Sequence, residues 1–272
     1  MEPASQAPAA KAYEIHLSPP VRVGDRAHLV VDWSEERETT TEHPGAVVDT
    51  RREQTALHLD AVATVVATNE AHDATRLTYD VAALTVDGNS IFRGTIDLTR
   101  AATVAAATVL SNGEPAAKEV RDALNRAIAL RIGATDDQVF GSPEPRVVGA
   151  RWPIHAKVAQ DDLAATGVRA GALSGDTTLM SVSRVENADY LELRSRMDVT
   201  GLEVPGLPPG SVIEAGDASA VGTWVVPVVG AASLHESMEF RMTLKIRVPT
   251  PQGDAVVTTT TAERKDGRVA AL

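Results

Sequence analysis

The chain of 272 residues carries 26 Lys and Arg against 37 Asp and Glu, a net charge of −11, with 43% hydrophobic residues, 3% aromatic residues and no cysteine. The acidic balance and the scarcity of stacking rings argue against a nucleic-acid partner, and the missing thiols exclude disulfides, thiolate nucleophiles and Cys-ligated metals. Length and apolar content suffice for a sizeable core of Val, Leu, Ile, Ala and Met.

Residues 1–12, MEPASQAPAAKA, have the composition of a flexible spacer and lack the basic and apolar regions of a signal peptide. No apolar run reaches 18 residues, so no transmembrane segment is expected. The expected location is the periplasm or cell envelope if a targeting segment was removed, and the cytoplasm otherwise.

A first β unit is predicted over 13–112. It opens at Val23-Gly24-Asp25-Arg26-Ala27 after the Pro-bearing loop Ser18-Pro19-Pro20, and continues through strand-like runs at 57–66, 75–86, 91–98 and 102–110. Asp87-Gly88 marks a hairpin between two of these runs. The alternation in 75–86 changes phase between Leu77, Tyr79, Val81 and Leu84, Val86, which predicts a bulge near Ala82-Ala83. The charge run Glu35, Glu36, Arg37, Glu38 and Glu42 predicts an exposed strand end or a protected edge.

A connecting segment, 113–133, holds the one predicted helix, Pro115 to Arg131. Val120, Leu124, Ala127 and Ile128 recur at three- and four-residue steps, Pro115 suits a first helical position and Gly133 can end the helix. Val120, Leu124 and Ile128 are expected to lie against the sheet while Arg121, Asp122 and Asn125 face water. Such a helix either plugs an open end of a curved sheet or covers its concave face.

The second β unit, 134–272, opens at Val148-Gly149-Ala150-Arg151-Trp152 after another Pro-bearing loop, and its runs at 178–185, 190–199, 221–229 and 238–248 follow an order like that of the first unit. This parallel suggests an internal duplication. Residues 238–248, MEFRMTLKIRV, alternate strictly between a dry and a wet face, and 255–262 adds a Val- and Thr-rich strand. The Pro- and Gly-rich loop 204–210, centred on Leu207, is a candidate flexible lip.

The chain carries no nucleophile elbow, Walker loop, H-E-x-x-H or dinucleotide fingerprint, so no catalytic residue, metal site or cofactor is assigned. The seven histidines read as isolated, the pairs Asp136-Asp137 and Asp161-Asp162 as solvated loops, and Trp33, Trp152 and Trp224 as core anchors. The Glu and Arg side chains of 190–199 and 238–248 would form surface ion pairs if those strands were neighbours.

The Val-Gly-x-Arg-Trp pattern, opening Thr- and Val-rich amphipathic strands after a Pro-bearing linker, resembles uncharacterised bacterial envelope lipoproteins with a Val-Gly-x-x-Trp-like motif. The likeness covers about residues 13–264 and lacks a lipobox cysteine. It implies an envelope protein without transferable catalytic residues.

The fold expected is mainly β: an antiparallel curved sheet, half-barrel or barrel of two similar β units with one amphipathic helix between them. The expected function is non-enzymatic binding of a lipid or other hydrophobic ligand at Val120, Leu124, Ile128 and Leu207. The alternative is a structural or protein-interaction module that meets a protein partner and takes no small molecule.

Overall fold

A computed structural model describes residues 11–18, 20–43, 49–185, 187–229, 235–251 and 253–272. The long alternating runs become a curved antiparallel sheet. In the first half β2 (Arg26–Glu42), β3 (Asp49–Thr68), β4 (Ala74–Val86), β5 (Asn89–Thr99), β6 (Thr108–Ser111) and β7 (Glu114–Pro115) pair in succession. In the second half β9 (Arg151–Pro153), β10 (Ala172–Val185), β11 (Ala188–Thr200), β12 (Val212–Pro227), β13 (His235–Val248) and β14 (Ala255–Ala271) do the same. The first and last of these strands, β2 and β14, then pair with each other from Ala27↔Ala271 to Glu42↔Val256. The result is one twelve-stranded meander in cyclic order, with its chain ends joined at the centre and its free edges at β7 and β9. No closed barrel forms, so the barrel alternative among the expectations is set aside.

Between the two edges the chain turns into helices. α1 (Lys118–Ala127) and α2 (Asp136–Phe140) lie between β7 and β9, and α3 (Ala156–Ala165) between β9 and β10, so three helices are present among the described residues where one was expected, together with a 3-10 turn at Val104–Ala106 inside the run expected as strand at 102–110. α2 went unseen because five residues show no period, but its cap is explicit: Thr135 Oγ1 accepts from the Gln138 N–H and the Gln138 side chain accepts from the Thr135 N–H. α1 is shorter than expected at both ends. Pro115 belongs to β7, and Ile128 is already extended, though its N–H still bonds Leu124 O.

The bulge at Ala82-Ala83 is present, since β4 shifts its register against β3 and β5 there while Val81, Tyr79 and Leu84 stay inward. Asp87 and Gly88 turn the β4–β5 hairpin at φ of 50° and 76°. The charge run 35–42 is the exposed C-terminal end of β2, one of the two expected alternatives, and not an edge, because β2 is paired on both sides. Its charges are met across the strands instead, as when Arg52 Nε donates to Glu38 at 2.7 Å. Strands β11 and β13 are separated by β12, so the ion pairs expected between them do not form; Arg247 and Lys245 reach Glu214 on β12.

Cross-strand partners share a face, so register alone maps the interior. One row runs Trp33, Lys265, Met238, Gly222, Ser195, Thr177, Trp152 from β2 to β9. Two cores lie on this inner face. α1 buries Val120, Ala123, Leu124 and Ala127 against Val31, Leu57, Leu59 and Leu84 of the first half. Over the second half α2, α3 and the N-terminal segment cover Trp152, Leu179, Leu193, Trp224 and Val199. That segment contains β1 (Ala12–Tyr13), which pairs with β8 (Arg146–Val147), so residues 12–17 pack with the second half of the sheet.

Candidate groove on the inner face

Strand β14 faces inward with Thr261, Glu263, Lys265 and Gly267, a polar stripe running between the two cores. A helix could not cover this stripe without stranding its charges away from water. The space between α1 and α2 therefore stays open as a continuous groove. One part, about 450 Å³, is lined by Trp33, Glu35, Arg126, Ile128, Met238, Phe240 and Glu263. The second, about 600 Å³, runs past Asp136, Glu236 and Arg131, and Ala129 and Lys265 line both.

The groove has an apolar floor on one side of Lys265. Met238 is 41% exposed there and Phe240 half-buried, side by side with Trp33 and Ile128. An exposed methionine facing inward between two helices is unusual for a core strand, whose residues normally shed water first.

Each half contributes a tryptophan, Trp33 on β2 and Trp224 on β12, that holds a carboxyl group. Trp33 donates to Glu263, whose acid is pushed above its usual range by burial and by the neighbouring Glu35; the Trp33 bond and the Arg126 and Arg37 charges oppose the shift. Arg126 also lies over the Trp33 ring, 4.8 Å from its centroid. Trp224 donates to Asp136 at 3.3 Å. Burial and then the charge of Glu236 push Asp136 up to about 7, against the Trp224 bond and the Lys265 charge. The groove thus offers Asp136, whose carboxyl is pushed up to about 7, and Glu263, raised above its usual range, beside an apolar floor.

Of the residues assigned to a ligand from sequence, Ile128 lines the groove. Val120 and Leu124 sit at 5% and 1% exposure inside the first core, with no open surface to offer. Leu207 is half-buried in a loop whose neighbours are Gly167 and Pro249, at the far end of the second half, and the groove does not include it. Met238, Phe240, Glu263 and Lys265 were missed as a site. Their alternation was read as strand, but alternation does not tell which inward residues a helix will cover.

Two other readings are corrected. Asp137 accepts from the Leu17 and Ser18 N–H groups at 2.6 and 3.1 Å, and Asp162 binds Arg131 and the Ala134 N–H, so members of both acidic pairs are tethers and not solvated loop residues. Four of the histidines are not isolated; His16 lies 3.5 Å from Glu14. His28, His58 and His235 pair with Asp60, Asp32 and Asp266 at 2.8 to 2.9 Å on the outer face. Among the described residues no group of three His, Asp or Glu is placed to hold a metal, and no helix is long and apolar enough to cross a membrane. The three tryptophans are buried, at 4 to 6% exposure, as expected of core anchors.

No family model and no curated protein matches the chain. Among solved structures it is similar to OpdQ of Pseudomonas aeruginosa, with 8% identity over 91% of this chain and 98% of that one and a TM-score of 0.22. It is also similar to a LolA superfamily protein of Nitrosomonas europaea, with 8% identity over 93% and 89% and a TM-score of 0.14. Likenesses this loose leave the reading of the groove to its own residues.

Proposed function

We propose that this is a non-enzymatic binding protein of the bacterial envelope that holds the apolar part of an amphipathic, lipid-like ligand in the inner-face groove. The observation that carries the reading is the exposure of Met238 beside Phe240, Trp33 and Ile128 on an inward surface between two covered cores. Small-molecule sites fall in the range of roughly 300–1,000 Å³, and the groove parts of about 450 and 600 Å³ lie within it. Both cores are filled by the chain's own side chains, so the ligand is held along one side and keeps its polar end near Glu263 and Lys265. The resemblance to envelope lipoproteins supports the location.

Titration of delipidated protein with a fluorescent fatty-acyl probe tests this. Saturable binding is expected, weakened about tenfold or more by Phe240→Asp, which places a charge on the apolar floor. Absence of saturable binding to the wild-type protein would sink the reading.

A further inference from the structure

The two cores are covered by different means. The first half is roofed by α1, ten residues of which four are buried. Much of the second half is roofed by an extended segment from the other end of the chain. Ile15 and Leu17 are each 3% exposed and pack on Trp152, Leu179, Leu191, Leu193, Trp224 and Val226, with Tyr13 half-buried beside them. Glu14 and His16, between the anchors, face water. This is the spacing by which an extended peptide is read: alternate side chains enter pockets and the backbone supplies the hydrogen bonds.

The backbone contacts are few and belong to a peptide. Ala12 and Tyr13 pair with Val147 and Arg146, the Leu17 and Ser18 N–H groups donate to Asp137, and the Asp136 N–H donates to Ser18 Oγ. Lys11 adds an exposed ion pair with Asp189 at 3.3 Å. Elsewhere neighbouring long strands are held by ladders such as Arg26–Thr41 on β2 against β3. A two-residue pairing and a carboxylate clamp are weak by comparison, and segments with few backbone bonds are the first to open.

We propose that the trough on the second half is a binding site for an extended polypeptide with apolar side chains at alternate positions, and that residues Tyr13–Leu17 occupy it as an internal stand-in. An acyl chain would match the apolar floor but would leave the Asp137 carboxylate and the β8 backbone without their donors and acceptors, which is why a peptide is favoured. The trough meets the groove at Ser18 and Asp136, which line the groove's second part, but the groove's apolar floor, Met238 and Phe240, is not among the trough's lining residues.

The test uses the full chain and a labelled peptide with the sequence of residues 11–18, Lys-Ala-Tyr-Glu-Ile-His-Leu-Ser. In the wild type the tethered segment competes at an effective concentration on the order of millimolar, so peptide binding is weak. Ile15→Ser with Leu17→Ser in the protein removes the competitor's anchors, and peptide affinity is expected to rise about tenfold or more. The cysteine-free chain allows a second arm. Ala12→Cys with Val147→Cys joins register partners of β1 and β8; the oxidised form should exclude the peptide and reduction should restore wild-type binding. Equal binding by the oxidised and reduced forms would overturn the proposal, and so would a folded anchorless variant that binds the peptide no better than wild type. Binding of a fatty-acyl probe that appears in that variant over the wild-type level and survives Phe240→Asp, without binding of the peptide, would assign the trough to lipid and also overturn it. Phe240→Asp should leave peptide binding unchanged, so failure of the groove reading is distinguishable from failure here.

Discussion

The indole of Trp224, near the C-terminal end of β12, donates to the carboxyl group of Asp136 at the first turn of α2, 3.3 Å away and 88 positions apart in sequence. This bond joins the second half of the sheet to the segment that bridges its two edges. It also fixes a carboxyl group whose neutral form the surroundings favour.

The pH dependence follows from that preference. Asp136 is raised from its ordinary 3.8 to about 7, so between those values the folded chain holds a proton that the unfolded chain releases. Its contribution to stability is fully present below about 3.8 and is lost as pH rises toward 7. Asp136→Asn keeps a neutral side chain at every pH and removes this loss. Thermal unfolding of both proteins at pH 5 and pH 8 should show the variant gaining on wild type at the higher pH, with the gap on the order of 1 to a few kcal/mol. A gap of the same size at both pH values would refute the assignment.

Gly222 controls the same bond. A Cβ added there would lie 2.7 Å from Cζ3 of Trp224, a rigid ring in a packed core that has no room to retreat. Gly222→Ala should therefore displace the indole and cost about 1–3 kcal/mol. Denaturant titration gives the cost. Tryptophan fluorescence at pH 5 and pH 8 should lose whatever difference Asp136 ionisation imposes in the wild type.

Docking of α1 is tested by two positions on opposite sides of it. Leu124 is 1% exposed between the helix and the sheet, so Leu124→Asp should cost several kcal/mol, from lost burial and a stranded charge. Arg121 was expected to face water, yet its guanidinium donates to Val104 O at 2.7 Å and pins the 3-10 turn to the helix. Arg121→Ala should cost about 1 kcal/mol. Urea midpoints of the two variants that coincide would show that the helix is not held by its inner face.

Asp162 anchors the crossing from α1 to α2. Burial works to raise its acid, but the Arg131 guanidinium and the Ala134 N–H outweigh burial and hold it below its ordinary 3.8. Its stabilisation is therefore present above 3.8 and fades as pH falls below it. Asp162→Ala should cost about 1–3 kcal/mol at pH 7, measured by denaturant unfolding, and the cost should shrink at pH 3.

Period-two alternation in residues 75–86, 190–199 and 238–248, with Asp87-Gly88 between runs and a phase change at Ala82, was enough to predict antiparallel strands, a hairpin and a bulge, because these depend on local backbone sterics and on one buried face. The amphipathic period around Val120 and Leu124 likewise marked a helix with a dry side. Pairing of β2 with β14 could not be read, since it joins strands more than 200 residues apart and leaves no mark on either except the charges that face across it. The same pairing puts the charge run 35–42 at the end of a central strand instead of on an edge, and brings Lys265, Met238 and Trp33 into one row. The groove exists only because that row places a polar strand between two covered cores, and Ile15 and Leu17 became a roof over the second half only once it offered an apolar trough to fill. Local period decides which face of an element is dry; which dry faces meet, and which stay open, is decided by long-range contacts whose energy no short window of sequence contains.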